Sequence, residues 1–128
     1  MKGKGARAER ELLHMLFDKK WHVVRSAGSG SIGLPNPDLI AGKDGRVLAI
    51  ECKSSDKEIR RYFKEHEIRE LKEFAKKFNA EAWLAIRFDA AGWFFLEPHE
   101  LEVSKNGFFC FDFELVKEKG KSFDEVIR

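Results

Sequence analysis

From Ala6 to Lys20 the apolar residues Leu12, Leu13, Leu16 and Phe17 recur at helical spacing with no Gly or Pro between them, which predicts an amphipathic helix. Trp21 to Ala27 reads as a short strand. Gly28 to Asn36, with three glycines and Pro35, reads as a loop. Pro37 to Ala41 and Arg46 to Ser54 read as two strands joined through Lys43, Asp44 and Gly45, where Asp-Gly is a strong tight-turn signal. A charged stretch, Ser55 to Glu65, leads into a second helix whose Ile68, Leu71, Phe74, Ala75 and Phe78 share one stripe and whose stop is Asn79. Ala80 to Asp89 and Trp93 to Leu96 read as a strand pair around Ala90, Ala91 and Gly92. Phe108 to Val116 reads as a late strand, with Phe109, Phe111 and Phe113 alternating onto one face, and Ser122 to Ile127 as a short closing helix. This order implies an α/β domain: a mixed sheet with helices packed on it.

The chain has 128 residues, 43% of them hydrophobic, with 24 Lys plus Arg against 22 Asp plus Glu. That describes one soluble globular domain over 1–128, too short for a second core and too apolar to be disordered. Charges interrupt every apolar run well before the roughly 18 residues that a membrane span needs. The basic start MKGKGARAERELL is not a signal peptide, because Glu9 and Glu11 fall where its apolar stretch should be, so the expected location is the cytoplasm. Cys52 and Cys110 form no disulfide framework, and His14, His22, His66 and His99 lack zinc-site spacing.

The net charge of +2 announces no partner, but the cations are unevenly placed: Lys2, Lys4, Arg7 and Arg10 precede Arg25, and Arg60, Arg61 and Lys64 follow. Solvated faces and the footprint of a polyanion both fit that distribution.

Glu9 stands out on the first helix. At 100° per residue it lies within about 60° of Leu12, Leu13 and Leu16, on the apolar side, whereas Glu11 is on the wet face. A buried, unpaired carboxylate costs several kcal/mol, so Glu9 either needs a cation or sits at the stripe's edge and reaches water or Arg10. The hairpin is sharper. Asp38 begins one strand, and Glu51 and Lys53 share one face of its partner with Val47 and Ala49, while Ile50 and Cys52 take the other. Alone, Glu-x-Lys is an ordinary cross-strand salt bridge. With Asp38 across the hairpin and a core-facing Glu9, the set favours hard-oxygen ligation of a divalent metal, with a lysine to guide water or a phosphate oxygen.

Pro37-Asp38 followed by Glu51-Cys52-Lys53 resembles the PD-(D/E)-x-K signature of restriction-endonuclease-like nucleases. KGARAERELLHML, VVRSAGSGS, PDLIAGKDGRVLAIECKSS and KEFAKKFNAEAWLAIRF together resemble the archaeal Holliday junction resolvases along most of the first 90 residues. The resemblance implies a restriction-endonuclease-like fold with a central mixed sheet flanked by helices. It implies a homodimeric endonuclease, dependent on Mg²⁺ with Mn²⁺ able to substitute, that resolves four-way junction DNA by paired nicks at the nucleoid. Glu9, Asp38 and Glu51 would be metal ligands, Lys53 would act on the attacking water or the scissile phosphate, and Ser29 matches a serine that contributes to catalysis in some relatives. Arg10 and Arg25 would hold DNA phosphates, joined by Arg60, Arg61 and Lys64. The loop from Ser31 to Asn36 lacks the lysines that relatives often carry.

Gly28, Gly30 and Gly33 formally satisfy G-x-G-x-x-G, but Pro35 and Pro37 follow at once where a dinucleotide fingerprint requires a helix to open. A loop closing over a phosphate backbone and a plain surface linker both remain open. The second helix's stripe equally serves the core or a partner, and the resemblance places Phe74 and Phe78 at a dimer interface, consistent with 12 Phe in so short a chain. The rival readings are a nuclease of the same superfamily acting on nicked, flapped or duplex DNA, and a non-catalytic junction-binding module.

Overall fold

The turn at Asp44-Gly45 sets the register of the sheet. Both residues take left-handed backbone, φ 47° and 86°, as a two-residue type I′ turn requires, and Lys43 stands directly opposite Arg46. This computed structural model describes residues 2–26, 34–55 and 60–128. Its elements in chain order are α1 (Lys2–Asp18), β1 (His22–Arg25), β2 (Leu39–Lys43), β3 (Arg46–Ser55), β4 (Arg61–Phe63), α2 (Glu65–Phe78), β5 (Glu81–Phe88), β6 (Gly92–Leu96), a 3-10 turn (Pro98–Glu100), β7 (Glu102–Val103), β8 (Phe109–Phe111), α3 (Phe113–Lys119) and α4 (Phe123–Ile127). Among the described residues the strands form two sheets, ordered β1-β2-β3-β5-β6 and β4-β8-β7. β3 and β5 run parallel, and β4 and α2 lie between them in the chain; the other pairs are antiparallel. The fold is thus the expected mixed sheet flanked by helices.

Period-two alternation divides the core. Leu48 and Ile50 of β3, with Trp83 and Ala85 of β5, pack under Leu12 and Leu16 of α1 and Val126 of α4. Ala49 of β3, with Leu84, Ile86 and Phe88 of β5, packs under Ile68, Leu71 and Ala75 of α2. Glu51 and Lys53 continue the alternation of Ala49, so they leave the sheet on the side of α2. Asn79, with φ 54°, stops α2, and its backbone N–H returns to the carbonyls of Ala75 and Lys76. Among the described residues no helix is long and apolar enough to cross a membrane.

Four expectations need correction. The stretch from Phe108 to Val116 is not one strand: β8 ends at Phe111, the Asp112 side chain accepts from the Leu115 backbone N–H, and a helix opens at Phe113. Phe109, Phe111 and Phe113 therefore do not alternate along one strand face. The charged stretch Ser55 to Glu65 hides β4, whose Phe63 is buried against Phe111. Phe17 lies outside the apolar stripe of α1, exposed and edge-on to the ring of His22. Strand β2 begins two residues later than the pattern suggests, leaving Pro37 and Asp38 in the approach to it.

Candidate active site

The approach to β2 is stapled on both sides. The Ser26 backbone N–H donates to the Asp38 carbonyl at 3.0 Å, and the Ser26 hydroxyl donates to the Pro37 carbonyl. Across the hairpin, the Cys52 backbone N–H donates to Asp38 Oδ2 at 2.8 Å. Leu39 pairs with Ile50, so Asp38 lies beside Glu51, whose carboxylate accepts from the Asp38 backbone.

Two carboxylates in one largely buried place repel. Burial first pushes the Asp38 carboxyl up to about 6, with Glu9 and Glu67 adding to the rise and the Cys52 N–H and Arg25 opposing it. Glu51 is pushed up to about 8, by burial first and then by the charges of Asp38, Glu67 and Glu9. Lys53, two residues on, donates from Nζ to the Tyr62 carbonyl at 2.9 Å and stands 4.7 Å from the centre of the Phe63 ring. Burial lowers its ammonium from the usual lysine range, opposed by Glu67 and Glu51.

Glu9 finds its cation in Arg25, whose Nε donates to Glu9 Oε1 at 2.9 Å; the Glu9 side chain is only 18% exposed. Arg25 therefore sits between two carboxylates, bonded to Glu9 and lowering Asp38 by its charge. α1 packs on the opposite side of the sheet from Glu51, and the field of Glu9 still reaches both Asp38 and Glu51. Glu11, on the wet face, instead takes Arg87 at 3.1 Å and Trp93 Nε1 at 2.7 Å.

The donor set fits a hard divalent cation. Asp38 and Glu51 offer carboxylate oxygens side by side, with two further carboxylates contributing charge of the same sign. Among the described residues no group of three or more His, Cys, Asp or Glu is drawn tightly enough to close on an ion. The pair Asp38 and Glu51 is in place, and Glu9 is committed to Arg25.

Glu67 belongs to this neighbourhood and sequence reasoning missed it. It acts on Asp38, Glu51 and Lys53 by its charge and accepts from the Lys64 backbone N–H at 2.9 Å, closing the first turn of α2. A signal existed: Glu67 precedes Leu71, Phe74 and Phe78 by four, seven and eleven positions, a carboxylate on an apolar stripe just as Glu9 is.

The remaining predicted residues are scattered around this centre. Arg10 and Lys64 are exposed. Arg60 donates to Cys110 Sγ at 2.9 Å and lies 3.8 Å from Glu102, and Arg61 donates to the Ser54 carbonyl at 3.4 Å. Phe74 and Phe78 stack with centroids 4.3 Å apart, and Phe78 is 54% exposed. Both cysteines are free, and burial pushes the Cys52 thiol well up, away from reactivity. All four histidines are exposed. Ser29 and the glycines at 28, 30 and 33 lie outside the described residues.

The family model described as archaeal Holliday junction resolvase (Hjc) matches residues 1–128. A crossover junction endodeoxyribonuclease Hjc of Archaeoglobus fulgidus is 36% identical, over 98% of this chain and 96% of that protein. Its namesake from Sulfolobus acidocaldarius is 37% identical, over 99% and 88%. The crystal structure of Archaeoglobus fulgidus Hjc, described as a Holliday junction resolvase, superposes with a TM-score of 0.87 at 34% identity, covering 97% of this chain and all of that one.

Proposed function

This chain belongs to the archaeal Holliday junction resolvase family, and from that membership we propose that it is a Mg²⁺-dependent endonuclease resolving four-way DNA junctions by symmetric paired nicking. The observation that carries the reading is the apposition of Asp38 and Glu51 across the β2–β3 hairpin, with Lys53 on the same strand face. A fold gains nothing from two half-buried like charges, whereas a phosphodiester hydrolase uses them to hold a cation.

When bound, Mg²⁺, or Mn²⁺ in its place, supplies acidification of water and neutralisation of charge on the phosphate. Asp38 and Glu51 would hold it, with Glu9, here paired with Arg25, as the third carboxylate of the set. Lys53 serves as a fixed cation for the charge that develops on the scissile phosphate, and the Tyr62 carbonyl and the Phe63 face hold its ammonium. Ser29 assists catalysis, a role that rests on the family resemblance alone. Arg10, Arg25, Arg60, Arg61 and Lys64 bind phosphates, so recognition follows junction shape more than base sequence.

The stacked Phe74 and Phe78, with Pro35 beside them and Glu70, Glu73 and Lys77 around, form an apolar centre with a charged rim. Such a patch suits an isologous homodimer, which places one active site on each of two symmetry-related strands. The enzyme works in the cytoplasm, at the nucleoid.

The test is cleavage of an end-labelled four-way junction beside its duplex arms, in Mg²⁺ or EDTA, by the native protein and Asp38→Asn. Paired symmetric nicks on the junction alone, lost in EDTA and in the variant, are expected. Equal cutting of duplex would leave a nuclease without junction selectivity, and binding without cutting in any metal would leave a junction-binding module.

A further inference from the structure

Beside Lys53, the small sheet β4-β8-β7 and the turn that leads into β8 show two aromatic rings to solvent. Tyr62 is 48% exposed and Phe108 45%, and they meet edge to face with centroids 6.2 Å apart. They border an open cleft of about 480 Å³ whose other walls include Lys53, Lys64, Glu67 and Asn106. Phe108 is held firmly: its backbone N–H donates to Ser104 Oγ at 3.1 Å and its carbonyl accepts from the Ser104 N–H at 2.8 Å, across a turn closed by Gly107 at φ 82°. Tyr62 is tied directly to the candidate active site, since its carbonyl holds Lys53 Nζ.

We propose that this cleft receives one unstacked nucleobase of the cut strand, stacked on the face of one of the two rings, Tyr62 or Phe108, and bordered by the other, with Lys53 and Lys64 meeting the phosphates on either side of it. The inference rests on the nuclease reading above and adds the element that selects the substrate. Aromatic rings stack any base without regard to identity, while paired lysines suit the phosphates that a base brings with it. The one carboxylate in the wall, Glu67, has one oxygen taken by the Lys64 N–H, and the two lysines of the same wall offset its charge. Asn106 offers an amide for a base edge. The volume falls within the roughly 300–1,000 Å³ of small-molecule sites, enough for a nucleotide and too little for a duplex. Unstacking a base is least costly where the helix is already broken, as at the centre of a junction, so a base-accepting cleft beside the scissile phosphate favours junctions over intact duplex.

The experiment places 2-aminopurine at each nucleotide flanking the cut and follows its emission on binding in EDTA, then measures cutting in Mg²⁺. The native protein and Tyr62→Phe should change the emission at one position next to the cleaved bond. Phe108→Ala, Phe108→Leu and Tyr62→Ala should lose that change, melt at the native temperature, and cut the junction about tenfold more slowly, with a smaller effect on duplex cutting. An emission change that survives in the Ala and Leu variants overturns the proposal, and so does a native protein with no emission change at any position. A native protein that changes the emission yet cuts no DNA would overturn the nuclease reading and leave the base site supported.

Discussion

Asp38 and Glu51 stand where they cost the fold most. Both carboxyls titrate higher in the folded protein than in the open chain, so the folded state binds more protons between about pH 4 and about pH 8. Stability of the metal-free protein should therefore fall as pH rises across that window and level off above it. Thermal melts in EDTA at about pH 5 and about pH 8.5 check the sign, and Mg²⁺ should recover more stability at the higher pH. Glu51→Gln should raise the metal-free stability at high pH by on the order of 2 kcal/mol while lowering junction cleavage about a hundredfold or more; a variant that loses stability would refute the repulsion. These two residues and Lys53 were legible because strand alternation is strict: once Asp44-Gly45 fixes the turn, their faces follow. Glu9 was legible as a carboxylate on an apolar stripe, but its partner was not, since nothing in the order of residues brings Arg25 to it across sixteen positions of chain. Glu67 carried the same stripe signal and was overlooked because it also reads as an ordinary first-turn acid.

At the scale of elements, two contacts join pieces that the sequence leaves separate. Arg46 spreads both Glu81 oxygens over Nε and Nη2 at 2.8 Å and reaches the carbonyls of Val126 and Arg128, tying the starts of β3 and β5 to the end of α4. Arg46→Lys keeps the charge and loses the fork, so it should lower stability by about 1 kcal/mol, the partial exposure of the pair limiting the loss. Denaturant unfolding measures it. Asp112→Ala should cost about 1 kcal/mol as well, by removing the cap of α3. That cap is also why the late strand was misread. Phe-x-Phe-x-Phe alternates as a strand does, and Asp112 in its middle, followed by Glu114, Leu115 and Val116, is the competing helix-start signal. The tertiary contact of Phe111 with Phe63 and Phe88 then decides where one element ends and the next begins. Strand β4 was hidden for a related reason: with three residues, two of them Arg61 and Tyr62, it has no period to read, and it exists because β8 supplies its hydrogen bonds.

For the molecule as a whole, the proposed homodimer predicts that the native protein sediments as a dimer and Phe78→Asp as a monomer, and that the variant uncouples the two nicks, so that half-cut junctions accumulate while each site keeps its chemistry. A variant that stays dimeric would move the interface elsewhere. Binding to junctions of equal geometry and scrambled sequence should agree within severalfold and weaken steeply with salt, as expected where phosphate contacts supply the affinity. The tight turn between β2 and β3 has a further consequence, in time rather than in space. A hairpin closed by two residues forms on the microsecond scale, whereas the parallel seam between β3 and β5 waits for β4 and α2 to be laid down. The cost of the two central acids comes from burial first, so the early hairpin carries little of it and the chain meets most of it as α2 and β5 close over the sheet. Alkaline pH should accordingly speed unfolding more than it slows refolding, and neutralising either acid should act chiefly on the unfolding limb of the chevron.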